Sequence, residues 1–596
     1  MQFHLIRLLR AAIVLSCSSL VVVCHTLTIG VASASPVSPN STASDRQEVV
    51  LDTRDGVVRS YVSYHLPLPA GSPAHPAQCD RVGYLRYRPS DGPASPSSAD
   101  SVVVQEQGLG GGAMNSDSVA DNTVHSASAA GMHIEFWALA RRSSCLDETT
   151  GFDAALKSGN YLDAVDYYFN RKPVNGKVFP GFRQNSDLAV LDGMGLSRVL
   201  RDQYEIMLAE LPDPKVRQEK AVCTGISMGG LVTGFFADWD FDGDSATTED
   251  AGYNQCQSFA AQDTLVSSDP VALQNTPILR SLTNAVTGTA GAVVEAGYAS
   301  GVLPRTLSEL PVLGTRSFLL YRLAGLAAHL DPDGESKLLQ HIPRDPVLDL
   351  TLNFLFAASP ADFLAGDASG NTIRDFRFTN AALLGVLTDN NTVNFSLFQQ
   401  GTGVLSGGPV VEKTFPVAGS VTQIPFLGSY LELASGRQTR VGPADHDVLY
   451  TWRNYDDVGR VWYTSPGHEV ADQRDQARQM ATGFPGAYWE TYFPIGVVTD
   501  LGAGYGGSRS GDLGAVRYAG MSRTKPNFVA FAGDGSIQKS AGTLFPPPAL
   551  ADIRTLPGYN HIDTIGAAAV QNDGKPDYSG QYLADFIRQQ VNGRQR

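Results

Sequence analysis

The chain is poor in positive charge, poor in charge altogether, and poor in cysteine. Lys and Arg number 45 against 60 Asp and Glu, a net charge of −15. A nucleic-acid partner needs a basic face, so that class is disfavoured. Charged residues make up 18% and hydrophobic residues 43%. Such an apolar share feeds a large core and excludes wholesale disorder. No internal repeat is visible. No stretch beyond the first 34 residues reads as a membrane span. A zinc-protease helix is missing too. His468 precedes Glu469, but no second His follows at i+4 to complete H-E-x-x-H. What is present is 60 Gly and 34 Pro, which imply many turns and long loops. At about 150 residues per domain the 596 residues suggest four domains, a prior that fails for large α/β enzymes.

Residues 1–34 read as a signal peptide. Arg7 and Arg10 form a basic start, 11–23 is apolar, and Ala32-Ser33-Ala34 is an A-x-A cleavage pattern. The expectation is an exported protein, secreted or held in the cell envelope. Cleavage leaves Cys79, Cys145, Cys223 and Cys256 in an oxidising compartment, with three fully paired connectivities open. Residues 35–56 read as a flexible lead-in.

Strands and helices then alternate. Val57–Leu66 and Arg81–Arg88 read as strands, and a Pro/Ser/Ala-rich loop fills 90–100. Ser101–Gln107 is a β-rich run followed at once by Gly108-Leu109-Gly110-Gly111-Gly112. Met132–Ala140, Lys220–Gly225 and Ser258–Val266 are further strands, and Leu188–Leu211 has helical spacing. This order predicts an α/β fold, a mostly parallel sheet with helices on both faces. The core divides into 57–266 and 516–596. Between them, 267–515 is rich in Ala, Leu and Gly, with helical runs near 277–300, 315–331 and 345–357. The strand Asn527–Ala532 and the helix Tyr582–Val591 follow, so 267–515 reads as an insertion between two strands of one sheet.

Gly225-Ile226-Ser227-Met228-Gly229 is G-x-S-x-G, after a strand and before a helix. A serine on that turn is lifted clear of the sheet edge. The N–H of Met228 then faces a developing oxyanion at the helix start. A serine nucleophile needs a base, and the base needs an orienting acid. Beyond the insertion one histidine follows, His561, in the loop Pro557–Asp563. The acid expected is Asp534, in the turn that ends Asn527–Ala532; Asp263, after Ser258–Gln262, and Asp563 are its rivals. The second oxyanion donor is expected in the glycine run, at Leu109, with Gly110 beside it.

Ser227 in its turn, Asp534, His561 and the glycine loop together resemble the α/β-hydrolase superfamily, in particular its exported esterases and lipases. The resemblance covers about 80–266 and 520–596. It implies an acyl-enzyme mechanism with Ser227 as nucleophile, and an insertion that caps the active site. Many members carry His-Gly where this chain has Gln107-Gly108. It also implies that the strand after Cys79 runs antiparallel beside the strand before Cys145. A Cys79–Cys145 disulfide is therefore expected, with Cys223 and Cys256 as thiols.

A second pattern is D-x-D-x-D-G-x5-E from Asp238 to Glu249, which points to a calcium loop held by Asp238, Asp240, Asp242 and Glu249. The expected function is an exported serine hydrolase for carboxylic esters with an apolar acyl group. It would act on a small-molecule or lipid ester and require no cofactor, with structural calcium possible. A serine peptidase on the same fold is one alternative. A non-catalytic exported binding protein is the other.

Overall fold

The computed structural model describes residues 43–269, 304–307, 312–395, 398–415, 439–482, 486–534 and 551–594. The expected signal peptide and the helical run at 277–300 lie outside the described residues.

Among the described residues nine strands form the central sheet: β1 (Ser44–Arg54), β2 (Val57–His65), β3 (Arg81–Pro89), β4 (Ser101–Glu106), β5 (Ile134–Ala140), β6 (Ala221–Ile226), β7 (Ser258–Gln262), β8 (Asn527–Ala532) and β9 (Ala551–Leu556). Their order across the sheet is β1-β2-β3-β5-β4-β6-β7-β8-β9. The pairs β1–β2, β2–β3 and β3–β5 are antiparallel. All pairs from β5 to β9 are parallel. This is the mostly parallel α/β sheet that the alternation predicts.

The central strands are buried on both faces, and their sequences show it. Every residue of β4 (SVVVQE) and β6 (AVCTGI) is buried. Strand alternation sends Val102 and Val104 into one core and Val103 into the other. The helices α1 (Asp117–Ala129) and α5 (Tyr578–Arg594) cover the Val103 side through Val119, Val124, Leu583 and Phe586. The helices α2 (Leu196–Glu210) and α3 (Met228–Ala237) cover the other, and α4 (Thr315–Leu330) joins the same hydrophobic cluster.

Two local readings change, and one helix has no counterpart among the sequence expectations. Residues 35–56 are not a flexible lead-in throughout, because from Ser44 the chain is β1. It pairs with β2 around Asp55-Gly56, whose φ values of 50° and 77° are those of a tight hairpin turn. The helical run 188–211 breaks into a 3-10 segment, Asn185–Gly193, and α2. The polar stretch 113–131, which shows little apolar periodicity, forms α1. Asp117 opens that helix, where its charge complements the dipole. It is buried among Arg54, Arg59 and Arg478, which hold its carboxyl far below the usual range against the opposing effect of burial.

Residues 263–526 lie between β7 and β8, yet those two strands pair directly, Ala261 opposite Val529. The insertion is thus an excursion from one sheet. It contains α4, the helices Pro346–Phe356, Asn380–Thr388 and Gln473–Ala481, and a small sheet of Arg377–Phe378, Leu449–Asn454 and Gly403–Ser406. Among the described residues no helix is long and apolar enough to cross a membrane.

Cys79 and Cys145 are bonded, with Cα atoms 5.0 Å apart. Cys223 and Cys256 are bonded as well, at 5.8 Å, so the expectation of two thiols there is corrected. Parallel neighbours start at the same edge of a sheet. Gln257 N–H donates to Ala221 O at 2.7 Å, which lays Cys256 beside the start of β6 rather than at the far edge. Non-reducing peptide mapping of the protein should recover both pairs. Replacing Cys223 and Cys256 by Ser should cost about 2–5 kcal/mol of stability, read by chemical denaturation. Free Cys223 in the mapped protein would overturn the second bond.

Candidate active site

The site is built on the carboxyl ends of β4, β6 and β7. At the end of β6 the backbone must reverse within two residues and enter α3. Ser227 takes φ 55°, ψ −124°, a region that non-glycine residues rarely occupy. Its flanks leave no room for side chains. A Cβ on Gly225 would lie 2.1 Å from the Gly229 carbonyl carbon, and one on Gly229 would lie 2.3 Å from Glu106 O. The turn can be this tight because both positions are glycine. Ser227 N–H donates to Gln262 O at 3.2 Å, which ties the turn to the end of β7.

The residue after Gln262 is Asp263. It is fully buried and has φ 45°. Its N–H donates to Ala530 O at 2.7 Å, and its Oδ1 accepts from Ala532 N–H at 3.2 Å. Both bonds pin the carboxylate at the end of β8. Its Oδ2 meets His561 Nδ1 at 2.6 Å, with His561 2% exposed. Nδ1 thus faces the acid, and Nε2 is the ring nitrogen left for proton transfer.

Asp534 does not take that place. After β8 the chain turns toward β9, with Gly533 N–H on Leu556 O and Asp534 N–H on Tyr559 O. This carries the Asp534 side chain to the half-exposed His468 of the insertion, where its Oδ2 meets Nδ1. That hydrogen bond raises the His468 pKa. The acid partnering His561 therefore follows the strand beside the elbow, not the strand before the histidine loop. The signal in the sequence was a lone carboxylate ending the buried run Phe259-Ala260-Ala261-Gln262.

Asp563 braces the histidine loop instead of contacting the ring. Its carboxylate accepts from Asn560 N–H at 2.8 Å, from Asn560 Nδ2 at 2.9 Å and from Gly401 N–H at 3.0 Å. Two other buried carboxylates of the insertion stand close by. Asp389 accepts from Asn391 and Thr402. Glu469 accepts from Thr464, Asn391 and Gly403. Burial pushes Asp389 and Asp563 up to about 7, and burial with the charge of Asp389 pushes Glu469 well above the carboxylate range.

The glycine loop lies against the nucleophile. The position a Cβ would take on Gly108 is 3.2 Å from Ser227 Cβ. Gly111 N–H donates to Gly108 O at 3.3 Å and Gly112 N–H to Tyr488 O at 3.0 Å. These two donors are engaged, and Leu109 lies between Gly108 and the Gly110 that packs under the Phe318 ring. Met228 opens α3 next to Ser227. The Gln107 side chain, where many relatives in the resembling family place His, turns away to Ser116 and the Gln105 carbonyl. The insertion reaches this loop from above through Phe318, Tyr488 and Glu490, whose N–H donates to Gly110 O at 2.8 Å.

The expected calcium set is not the one the fold gathers. Among the described residues, ligand atoms of Asp240, Asp242 and Asp250 come within 4.8 Å of one another. Asp238 instead accepts from Ser268 Oγ and Gly520 N–H, and Glu249 Oε2 accepts from Thr248 N–H. Asp250 replaces Glu249 because its Oδ2 caps Phe241 N–H and Asp242 N–H, both at 2.6 Å, folding the loop back on itself. Arg517 approaches Asp240 Oδ2 at 2.9 Å, placing a guanidinium on the cluster.

No protein-family model matches the chain, and no curated protein does. Solved structures do. Juvenile hormone epoxide hydrolase from the silkworm Bombyx mori is 12% identical, covers 90% of this chain and 79% of its own, and has a TM-score of 0.31. Feruloyl esterase B from Aspergillus oryzae is 12% identical over 93% and 88%, with a TM-score of 0.29. Proline iminopeptidase from Mycobacterium smegmatis is 10% identical over 88% and 98%, with a TM-score of 0.25.

Asp263→Asn should lower turnover by about 10⁴-fold, as loss of an orienting acid does, while Asp534→Asn should leave turnover near wild type. The reverse ranking in steady-state kinetics would restore Asp534. The buried carboxylates also set a pH dependence. A carboxyl raised in the folded state contributes stability that is present below its unfolded value, near 4, and is lost as pH rises through about 7. Melting temperature should therefore fall between pH 4 and 7, and less steeply in Asp389→Asn. An equal slope in the two proteins would contradict the protonated cluster.

Proposed function

We propose that the protein is a serine hydrolase that cleaves carboxylic esters through an acyl-enzyme on Ser227. One observation carries the reading. Ser227 is held in a strained strand-to-helix turn beside β7, and the next residue after that strand, Asp263, holds the buried His561 at 2.6 Å. Strain of this kind is retained at positions where function needs it.

In this mechanism His561 Nε2 takes the proton of the Ser227 hydroxyl as Oγ attacks the ester carbonyl. Asp263 orients the ring and stabilises the imidazolium. Met228 N–H and Leu109 N–H receive the oxyanion. Collapse expels the alcohol, protonated by His561, and leaves the acyl group on Ser227. Water, deprotonated by His561, then attacks the acyl carbonyl, and His561 returns the proton to Ser227 Oγ as the acid leaves. No cofactor is needed for these steps. The aromatic and aliphatic lining that the insertion brings to the oxyanion loop, Phe318 with Trp489 stacked on it at 5.3 Å, supports an apolar acyl group. The basic and apolar start of the chain supports export, with a small-molecule or lipid ester as the substrate class.

Ser227→Ala should remain folded and lose several orders of magnitude in turnover. A fluorophosphonate should label Ser227 in the wild type and not in the variant. A panel of p-nitrophenyl esters of graded length, run beside peptide anilides, separates esterase from peptidase. Near-wild-type hydrolysis by folded Ser227→Ala would end the reading, and an unlabelled wild type would favour a binding protein on the same fold.

A further inference from the structure

Behind the glycine loop stands a buried cation that the proposed chemistry leaves unused. Arg141 follows the last residue of β5 and is 4% exposed. Its Nη2 donates to Gln107 O. Its Nη1 donates to Gly111 O at 3.2 Å and faces Glu490 Oε1 at 3.3 Å. The guanidinium lies over the Phe493 ring, 5.4 Å from its centre. One planar side chain thus holds the carbonyls at both ends of the loop. Glu490, its ion-pair partner, holds a third with its own N–H on Gly110 O.

The consequence follows from peptide geometry. In a trans peptide the C=O and the following N–H point in opposite directions. Drawing Gln107 O toward Arg141 therefore turns Gly108 N–H away from it. Gly108 O is occupied by Gly111 N–H, which turns Leu109 N–H away from the inside of that turn. Gly108 itself abuts Ser227. Outward-held carbonyls thus leave the first N–H groups of the loop for the nucleophile side.

Lysine could do this only in part. It offers a point charge, whereas the guanidinium fork meets two carbonyls at fixed spacing. The charge also has work beyond geometry, because a cation behind a hydrogen-bond donor raises the potential where negative charge develops. Burial pushes Glu106 and Glu490 up to about 7, against the pull of Arg141, so neither fully cancels that cation at neutral pH.

We propose that Arg141 is a positioning residue of the oxyanion hole, bridging Gln107 O and Gly111 O so that the N–H groups of the loop face Ser227. This rests on the acyl-enzyme reading above, and the experiment separates the two. Wild type, Arg141→Gln and Arg141→Lys are compared for melting temperature, kcat and KM on a p-nitrophenyl ester, and inhibition by a trifluoromethyl ketone of matching acyl length. Arg141→Gln should lose about 10–1,000-fold in kcat with little change in KM, as does loss of an oxyanion donor. The ketone inhibition constant should rise in step with the fall in kcat/KM, and Arg141→Lys should recover a part. A purely structural residue would lower the melting temperature without this split. A folded Arg141→Gln enzyme with wild-type kcat, or a kcat loss that the ketone does not follow, overturns the proposal. Where neither variant folds, a crystal structure of the wild-type phosphonate adduct decides. The phosphonyl oxygen on a loop N–H with Arg141 bridging supports it, and the oxygen elsewhere or Arg141 released overturns it. A wild type whose Ser227 resists phosphonylation refutes the acyl-enzyme reading itself, whereas a labelled wild type beside an unaffected Arg141→Gln refutes this inference alone.

Discussion

Everything at the centre of the molecule depends on how closely two backbones pass at the end of β6. The chain around Gly225 and Gly229 is in contact with itself and with Glu106 O on β4 at distances no side chain could share. That contact fixes the start of α3, and α3 is buried over its whole length. It also fixes the height of Ser227 above the sheet. The glycine loop leaving β4 and the carboxylate leaving β7 are then placed by ordinary strand pairing, since both strands flank β6. A single close approach therefore sets the spacing of Ser227 against the glycine loop on one side and Asp263 on the other.

The insertion is more than a cover. It supplies main-chain partners to the two loops that matter: Tyr488 and Glu490 to the glycine loop, Gly401 to Asp563 below His561. It is anchored to the core by charge as well, through Arg478 on Asp117 at the head of α1. Backbone hydrogen bonds and a buried carboxylate cluster do not slide as apolar contacts do. A rigid seat on the loops is the consequence, with any movement for substrate entry confined to parts of the insertion away from these bonds.

The sheet, the elbow and the histidine were legible because each has a local signature. Apolar β-branched runs mark buried strands, G-x-S-x-G after a strand marks the turn, and His561 was the one histidine beyond the insertion. The acid was not legible in the same way. Asp263 and Asp534 both end buried strands, and the choice depends on which strand adjoins β6 and where the next turn sends the side chain. The second disulfide failed for a related reason: the register of β7 on β6, not spacing, brings Cys256 to Cys223. Helix α1 was missed because its stability comes from packing and from the arginines around Asp117, not from a periodic apolar face. Arg141 gave no signal, since its role is a set of bonds to main-chain carbonyls that carry no side-chain identity.

The direct pairing of β7 with β8 has a temporal side. These neighbours in space are separated by the whole insertion in sequence, so their contact closes a very long loop, the kind of contact that forms late. The elbow needs only residues up to about 262, whereas the glycine loop takes further bonds from Tyr488 and Glu490. The carboxylate of Asp263, in contrast, takes its final hydrogen bonds from Ala532 and His561, 269 and 298 residues further along the chain. During synthesis Ser227 can therefore be held in its turn before His561 has been made. The contact of Asp263 with His561 is thus completed only when β8 and the His561 loop have docked.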